Sequence, residues 1–147
     1  MGYSFRYQPV LNYRERRKEQ AEIALAKARE RLGEARRLLE EYRRKLYETT
    51  RDFESRLKTG MSADEIQNHR EYLETLGRRI ESQEEEVFRL EKVVRRKMHE
   101  VLQRSREYRI MEKLRDKDFD AWRRKQFQEE QKWMNEVAVT RHGREFP

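Results

Sequence analysis

Apolar residues alternate at spacings of three and four along the first part of the chain. When the residues are labelled as heptads a to g, ten of the fourteen a and d positions from Leu11 to Arg56 are apolar, and shifting the labels by one residue leaves three. Because six heptads keep this spacing, it predicts a helix whose apolar seam winds around a partner helix. The a positions are Leu11, Lys18, Leu25, Leu32, Leu39, Leu46 and Phe53, and the d positions are Arg14, Ala21, Ala28, Ala35, Tyr42, Thr49 and Arg56.

A turn and a second seam follow this helix. Gly60 suits the left-handed conformation that ends many helices, and Ser62 with Glu65 has the spacing of a capping box that starts the next helix. In the second seam ten of the fourteen a and d positions are again apolar. Its a positions are Ile66, Leu73, Ile80, Val87, Val94, Val101 and Tyr108, and its d positions are His69, Leu76, Gln83, Leu90, Lys97, Arg104 and Met111.

The short turn requires the two helices to run antiparallel. We pair each residue of the first helix with the residue of the second helix whose number brings the sum to 122, so that Leu32 faces Leu90. With this pairing, every a position of one helix faces a d position of the other. Phe53 then faces His69 near the turn, so we interpret this histidine as a seam residue. We therefore predict an all-α fold, a long two-helix antiparallel coiled-coil hairpin with an overhanging C-terminal helix.

The same register identifies weak positions in the seam. Lys18 faces Arg104, and because like charges in a seam repel each other, we expect the helices to splay around this pair. Arg14 lies opposite Tyr108, where a cation–π contact would recover part of the lost stability. Gln83 is a polar seam residue of the kind that costs stability but fixes the register.

The second helix is much longer than the first. The pattern predicts helix 1 over about 10–58, a turn at about 59–62 and helix 2 over about 63–139, within a single domain of residues 1–147. After about residue 112 the second helix has no partner in the hairpin and the heptad spacing stops, yet large apolar residues continue. They are Leu114, Phe119, Trp122, Phe127, Trp133, Met134 and Val137, and the N-terminal segment adds Tyr3, Phe5, Tyr7, Val10 and Tyr13.

Exposed apolar surface of this kind usually marks a partner-binding site. The alternative is that the N-terminal segment folds back onto the overhang, so that the aromatic side chains cover one another. The two interpretations are compatible, and the sequence leaves both open.

The composition argues against a compact enzyme fold. Apolar residues make up 35% of the chain and charged residues 44%, so too little apolar mass is present for a closed core. The sequence contains no cysteine, no apolar run long enough to cross a membrane and no signal-peptide pattern. The lack of cysteine suits a reducing compartment, and the other two features predict a protein without a membrane span.

The net charge of +7 arises from 36 basic and 29 acidic residues that are interleaved along the chain. This arrangement is typical of a solvated helical surface. Basic clusters at residues 14–18, 43–45, 95–97 and 123–125 would support non-specific phosphate contacts at low salt, but no specific nucleic-acid partner is predicted.

Residue patterns for catalysis are absent from the sequence. His69, His99 and His142 are far apart, no His/Cys cluster has metal-ligand spacing, and no Gly-rich phosphate loop occurs. We interpret the acidic run Glu84–Glu86 as an exposed helix face. The sequence therefore predicts a protein that is not an enzyme and that holds no cofactor and no metal.

Segments near both ends of the chain resemble the flagellar FliJ proteins. The N-terminal segment Phe5–Leu11, FRYQPVL, is followed by Tyr-Arg at 13–14 and by ALAKAR at 24–29. The C-terminal segment 130–138, EQKWMNEVA, followed by Arg141, is similar to the family's closing pattern E-Q-K-x-x-D/N-E-x-A-x-x-R. The asparagine of this segment stands where the family often has aspartate.

The resemblance implies a stalk-like component of the flagellar type III protein export apparatus, at the cytoplasmic face of the cell membrane. Proteins of this family resemble the central stalk of rotary ATPases. They insert into the hexamer of the export ATPase, promote its assembly and connect it to the cytoplasmic domain of the export-gate membrane protein. Export chaperones are further partners that the resemblance implies.

On this resemblance we expect the end of the hairpin that carries both termini to enter the ATPase hexamer, and the outer face of the hairpin to contact the export gate. The expected hexamer contacts are Phe5, Tyr7, Leu11, Arg14, Trp122, Gln131, Lys132, Trp133 and Arg141, and the expected gate contacts are Tyr42, Tyr47 and Tyr72. Two alternatives are a stalk of a virulence type III system and a coiled-coil adaptor or nucleic-acid-associated rod without an ATPase partner.

Overall fold

The protein consists of two long helices. The structure, a computed structural model, describes residues 2–145 and the side chains of residues 2–143. Helix α1 spans Gln8–Thr59 and helix α2 spans Ala63–Glu145, and no strand occurs among the described residues. The predicted all-α helical hairpin is confirmed.

The contacts divide the chain into two units. The hairpin unit is Gln20–Val101, and the terminal unit combines Met1–Glu19 with Leu102–Pro147. The predicted organisation as one domain over 1–147 stays a prediction, and its end residues 1 and 146–147 lie outside the described residues.

The turn between the helices is formed as its residue types predict. Gly60 has a φ of 103°, a left-handed conformation that is accessible to glycine because it lacks a Cβ atom. Its amide donates a 3.0 Å hydrogen bond to the carbonyl oxygen of Arg56, which closes α1. The amide of Glu65 then donates a 3.2 Å hydrogen bond to Oγ of Ser62, so the serine caps the first turn of α2.

The buried apolar residues follow the heptad frame. Of the thirteen buried hydrophobic side chains, all except Phe5 occupy predicted a or d positions. In the hairpin unit the continuous cluster consists of Ala28, Leu32, Ala35, Leu39, Ile80, Val87, Leu90 and Val94. Leu76, at 0% exposure, is the most completely enclosed of the described side chains.

Polar contacts fix the register of the hairpin unit. The side-chain amide of Gln83 donates a 3.0 Å hydrogen bond to the carbonyl oxygen of Ala35 across the seam. Nearer the turn, the rings of Phe53 and His69 stack with centroids 5.4 Å apart, which confirms this predicted pair. A seam histidine stacked in this way has a packing role, as its position in the heptad frame predicted.

Candidate partner-binding surfaces

The terminal unit has a small core that the N-terminal segment and α2 build together. Phe5, Leu11 and Met111 are buried, and Tyr3 and Tyr108 pack against them. The N-terminal segment therefore folds back onto α2, which is the alternative that the sequence left open. Since Phe5 and Leu11 are only 6% and 3% exposed, both are core residues in this conformation and offer almost no surface for the contact expected of them.

Tyr3 attaches the first residues of the chain to α2. Its ring lies edge-on to Phe119, with centroids 5.1 Å apart, and tilted against Trp122 at 5.6 Å. Its hydroxyl donates a 2.8 Å hydrogen bond to Oδ2 of Asp118, and the carbonyl oxygen of Arg115 lies 3.4 Å away. Partial burial, this hydrogen bond and the charge of Asp118 raise the pKa of Tyr3 to about 12. The hydroxyl is therefore protonated near neutral pH and acts as the donor.

The basic seam residues of the terminal unit find partners that the sequence did not predict. The cation over the Tyr108 ring is Lys18, with Nζ 4.9 Å from the centroid, and not Arg14. Instead, Arg14 donates a 3.0 Å hydrogen bond to the carbonyl oxygen of Glu107 on the facing helix, and Arg104 pairs with the Glu107 carboxylate at 3.1 Å. The contacts of Lys18 and Arg14 join α1 and α2 at this level, while the splaying expected around Lys18 and Arg104 stays a prediction.

A stripe of apolar residues continues along α2 with a spacing that the heptad frame missed. Met111, Trp122 and Trp133 follow one another at intervals of eleven residues. Such a repeat corresponds to about 3.67 residues per turn, so these side chains lie on one side of the helix. Phe119 and Val137 lie on the same side, three residues before Trp122 and four after Trp133. We call these five residues the eleven-residue face; a search for this period in the sequence would have found it.

The eleven-residue face is covered at one end and open at the other. Met111 is buried in the core of the terminal unit, Trp122 is half-buried beside Tyr3, and Trp133 is 64% exposed. Within the part of the chain that the structure describes, Trp133 makes no ring contact, hydrogen bond or ion pair. Three other expected contacts in the same stretch of α2 are exposed as well: Gln131, Lys132 and Arg141.

Tyr7 presents a further aromatic surface just before α1. It is 44% exposed, and its ring lies edge-on to Phe5 with centroids 5.9 Å apart. The guanidinium of Arg6 lies 5.5 Å from the Tyr7 centroid. The structure thus leaves part of this ring accessible, unlike that of its neighbour Phe5.

The three tyrosines expected to contact the export gate lie in the hairpin unit and differ in exposure. Tyr42 is half-buried and packs against the hairpin core. Tyr47 is 62% exposed, and Arg51 both covers its ring at 5.6 Å and donates a 3.3 Å hydrogen bond to its hydroxyl. Tyr72 is 36% exposed. Tyr47 and Tyr72 therefore offer surface to a partner, whereas Tyr42 serves mainly the core.

The acidic run of the hairpin unit is engaged in ion pairs. Glu84 pairs with Arg43 of α1 at 3.5 Å. Glu86 accepts hydrogen bonds of 2.6 and 3.0 Å from Arg89, and these bonds lower the pKa of Glu86. Among the residues described, no cluster of His, Cys, Asp and Glu could hold a metal ion. Nor is either helix, over its described length, apolar enough to cross a membrane.

Comparison with known proteins agrees with the resemblance seen at the two ends of the chain. The profile of the family described as "Flagellar FliJ protein" matches residues 3–145. Among solved structures, that of a YscO homologue from Chlamydia trachomatis has a TM-score of 0.51 and 18% sequence identity, with 96% of each chain covered. At this identity the likeness concerns the fold alone. No curated protein matches the chain. Because the family profile covers nearly the whole sequence, the chain belongs to the FliJ family.

Proposed function

We propose that this component of the type III export apparatus is a non-enzymatic coupling protein whose terminal unit enters the hexamer of the export ATPase. The family membership supports a role in flagellar protein export. The proposal adds that the protein promotes assembly and activity of the ATPase, and that it links the hexamer to the membrane export gate. It thereby acts at the cytoplasmic face of the membrane.

The exposure of Trp133 is the observation that carries the proposal. A tryptophan that is 64% exposed on a helix contributes little to packing among the described residues, and keeping its ring in water is unfavourable. Tryptophan and arginine are the residue types most often found to dominate protein–protein binding. Lys132 and Arg141 flank it on the same exposed stretch of α2. This surface fits a protein partner that supplies an apolar pocket with acidic groups around it.

The direct test is ATP hydrolysis by the cognate flagellar export ATPase, measured with and without the protein, together with the size of the complex. The wild-type protein should stimulate hydrolysis and shift the ATPase towards the hexamer. The double variant Trp133→Ala/Lys132→Ala should need about 30-fold more protein for half-maximal stimulation, which corresponds to about 2 kcal/mol of lost binding.

A matched control separates partner contact from folding. Phe88 and Lys92 form an exposed aromatic–lysine pair in the hairpin unit, with Nζ 4.4 Å from the ring centroid. Phe88→Ala/Lys92→Ala should keep normal stimulation, and circular dichroism should show the same helix content in both double variants. Loss of helix in the Trp133 variant would assign the residue to folding. Failure of the wild-type protein to act at several-fold excess, with steeply salt-dependent binding to duplex DNA, would favour the nucleic-acid alternative.

Contact with the export gate is a separate part of the proposal and rests on Tyr47 and Tyr72. Both rings are exposed on the hairpin unit, where a coiled coil does not need aromatic side chains. Tyr47→Ala/Tyr72→Ala should weaken binding to the cytoplasmic domain of the gate protein while leaving ATPase stimulation unchanged. Tyr13→Ala, which removes an exposed tyrosine from the terminal unit, is the control and should bind the gate normally.

A further inference from the structure

The chain itself occupies part of the face that the proposed function assigns to the ATPase. Met111, Trp122 and Trp133 share one side of α2. Met111 is buried in the core of the terminal unit, Trp122 contacts the ring of Tyr3, and Trp133 is exposed. The apolar face therefore extends beyond the point where the chain's own N-terminal segment stops covering it.

The segment that covers Trp122, residues 2–7, is here called the N-terminal strap. It precedes the first residue of α1 and has no helix or strand of its own. Its backbone hydrogen bonds in the described structure are local: the carbonyl oxygen of Phe5 accepts from the amide of Gln8, and that of Tyr7 accepts from the amide of Leu11. At its first residues, Tyr3 supplies the side-chain contacts to α2, through two ring contacts and the hydrogen bond to Asp118.

This arrangement allows the strap to open without unfolding the terminal unit. Phe5 is 6% exposed and stays anchored in the core, whereas Tyr3 is only half-buried, and Gly2 and Ser4 beside it are exposed. Release of Tyr3 would therefore expose more of Trp122 and of Phe119, whose side chain is already 37% exposed. The helices would keep their contacts. Local opening of a weakly attached end has a far smaller free-energy cost than global unfolding.

We propose that the first residues of the N-terminal strap, 2–4, are a removable cover, and that Tyr3 and the ATPase compete for the Phe119–Trp122 part of the eleven-residue face. The proposal rests on the proposed function, since it concerns the same surface. When only a minor fraction of a protein is in the form that can bind, its apparent affinity for the partner is the intrinsic affinity multiplied by that fraction. Opening the strap thus makes a longer aromatic face available, and closing it keeps this face shielded when no partner is present.

The variants Tyr3→Ala and Tyr3→Phe test the cover in steps. Tyr3→Ala removes two aromatic contacts and the hydrogen bond, so it should raise the open population and tighten ATPase binding about tenfold. Tyr3→Phe keeps the ring and removes only the hydrogen bond, so the gain should be about threefold. Tyr47→Ala is the matched control, because Tyr47 is an exposed tyrosine of the hairpin unit whose ring and hydroxyl contact Arg51 on α1. Its affinity should equal that of the wild type.

A second measurement reports opening without the ATPase. The chain has two tryptophans, so Trp133→Phe leaves Trp122 as the single tryptophan, whose emission can be excited selectively over that of the tyrosines. In this background Tyr3→Ala should shift the emission of Trp122 to longer wavelength and increase its quenching by iodide, whereas Tyr47→Ala should change neither.

The outcomes distinguish the cover from the proposed function. Greater quenching of Trp122 together with tighter binding of Tyr3→Ala supports the cover. Unchanged quenching in Tyr3→Ala overturns the cover, and so does greater quenching with equal or weaker binding of the ATPase. In both cases the proposed function stands as long as the wild type binds. If no variant binds the ATPase, the proposed function fails and the competition fails with it. Binding by Tyr3→Ala alone would support a cover that is closed in the wild type.

Discussion

The complete enclosure of Leu76 makes a quantitative prediction about the hairpin unit. This d-position side chain has 0% exposure, although the unit consists of only two helices. Leu76→Ala removes three carbon atoms, and at about 0.8 kcal/mol for each the loss of transfer free energy is about 2.4 kcal/mol. A residual cavity adds to this cost, while two helices can move together and fill part of it. We therefore expect the free energy of unfolding to fall by about 3 kcal/mol.

Unfolding in urea, followed by the far-ultraviolet circular dichroism of the helices, measures this loss. With a slope of about 2 kcal/mol per molar urea, the midpoint should fall by about 1.5 M at an unchanged slope. Leu102→Ala is the matched control in the same helix, because Leu102 is 55% exposed and its truncation should cost less than about 1 kcal/mol. Leu76→Met, which conserves volume, should cost less than about 1.5 kcal/mol.

The comparison of the two leucines can refute the reasoning. Equal losses for Leu76→Ala and Leu102→Ala would mean that enclosure between the helices contributes nothing at Leu76. A changed slope for Leu76→Ala alone would mean that the variant alters how much surface unfolding exposes, and not only how stable the hairpin is.

Three further predictions concern the turn, the seam and the strap. Gly60→Ala should lower the free energy of unfolding by about 1–2 kcal/mol because of its left-handed φ of 103°. In contrast, Gly33→Ala, whose added Cβ meets nothing within 4 Å, should raise it by about 1 kcal/mol; urea midpoints that move in the same direction would contradict this pair. Gln83→Leu should raise the urea midpoint but broaden the interhelical distances measured with spin labels, since a polar seam residue fixes the register; an unchanged distance distribution would contradict this role. The Tyr3 hydroxyl, with its pKa raised from 10.0 to about 12, should contribute fully to strap docking below pH 10 and lose this contribution as the pH rises through 12. Iodide quenching of Trp122 should follow this loss in Trp133→Phe but not in Trp133→Phe/Tyr3→Phe.

The core of the hairpin could be predicted because two physical constraints act together. A helix places residues three and four apart on one side, and a short turn forces the second helix to return along the first. Given these constraints, few registers allow all the apolar residues to meet. The burial of Ala28, Leu32 and Leu90 and the stacking of Phe53 on His69 follow from that register.

The contacts of the terminal unit were less accessible to such reasoning. Lys18 and Arg14 lie four residues apart on the same side of α1, so either can approach Tyr108, and side-chain packing chooses between them. The contact between Tyr3 and Trp122 joins an irregular segment to a helix, and neither period nor turn specifies where such a segment lies. The sequence could therefore locate the aromatic residues but not decide which of them cover one another.

The change of spacing along α2 separates residues that the fold uses from residues that it leaves open. Up to Met111 the apolar residues recur with a heptad period, which suits winding around another helix of this chain. From Met111 through Trp122 to Trp133 the apolar residues recur every eleven residues. This repeat corresponds to about 3.67 residues per turn, which is close to the 3.6 residues per turn of an unpaired helix. A stripe of that period gains nothing from winding around α1, and the strap reaches only as far as Trp122. We therefore propose that a partner outside the chain covers the exposed Trp133 beyond it, which the variants of Trp133 and Tyr3 test.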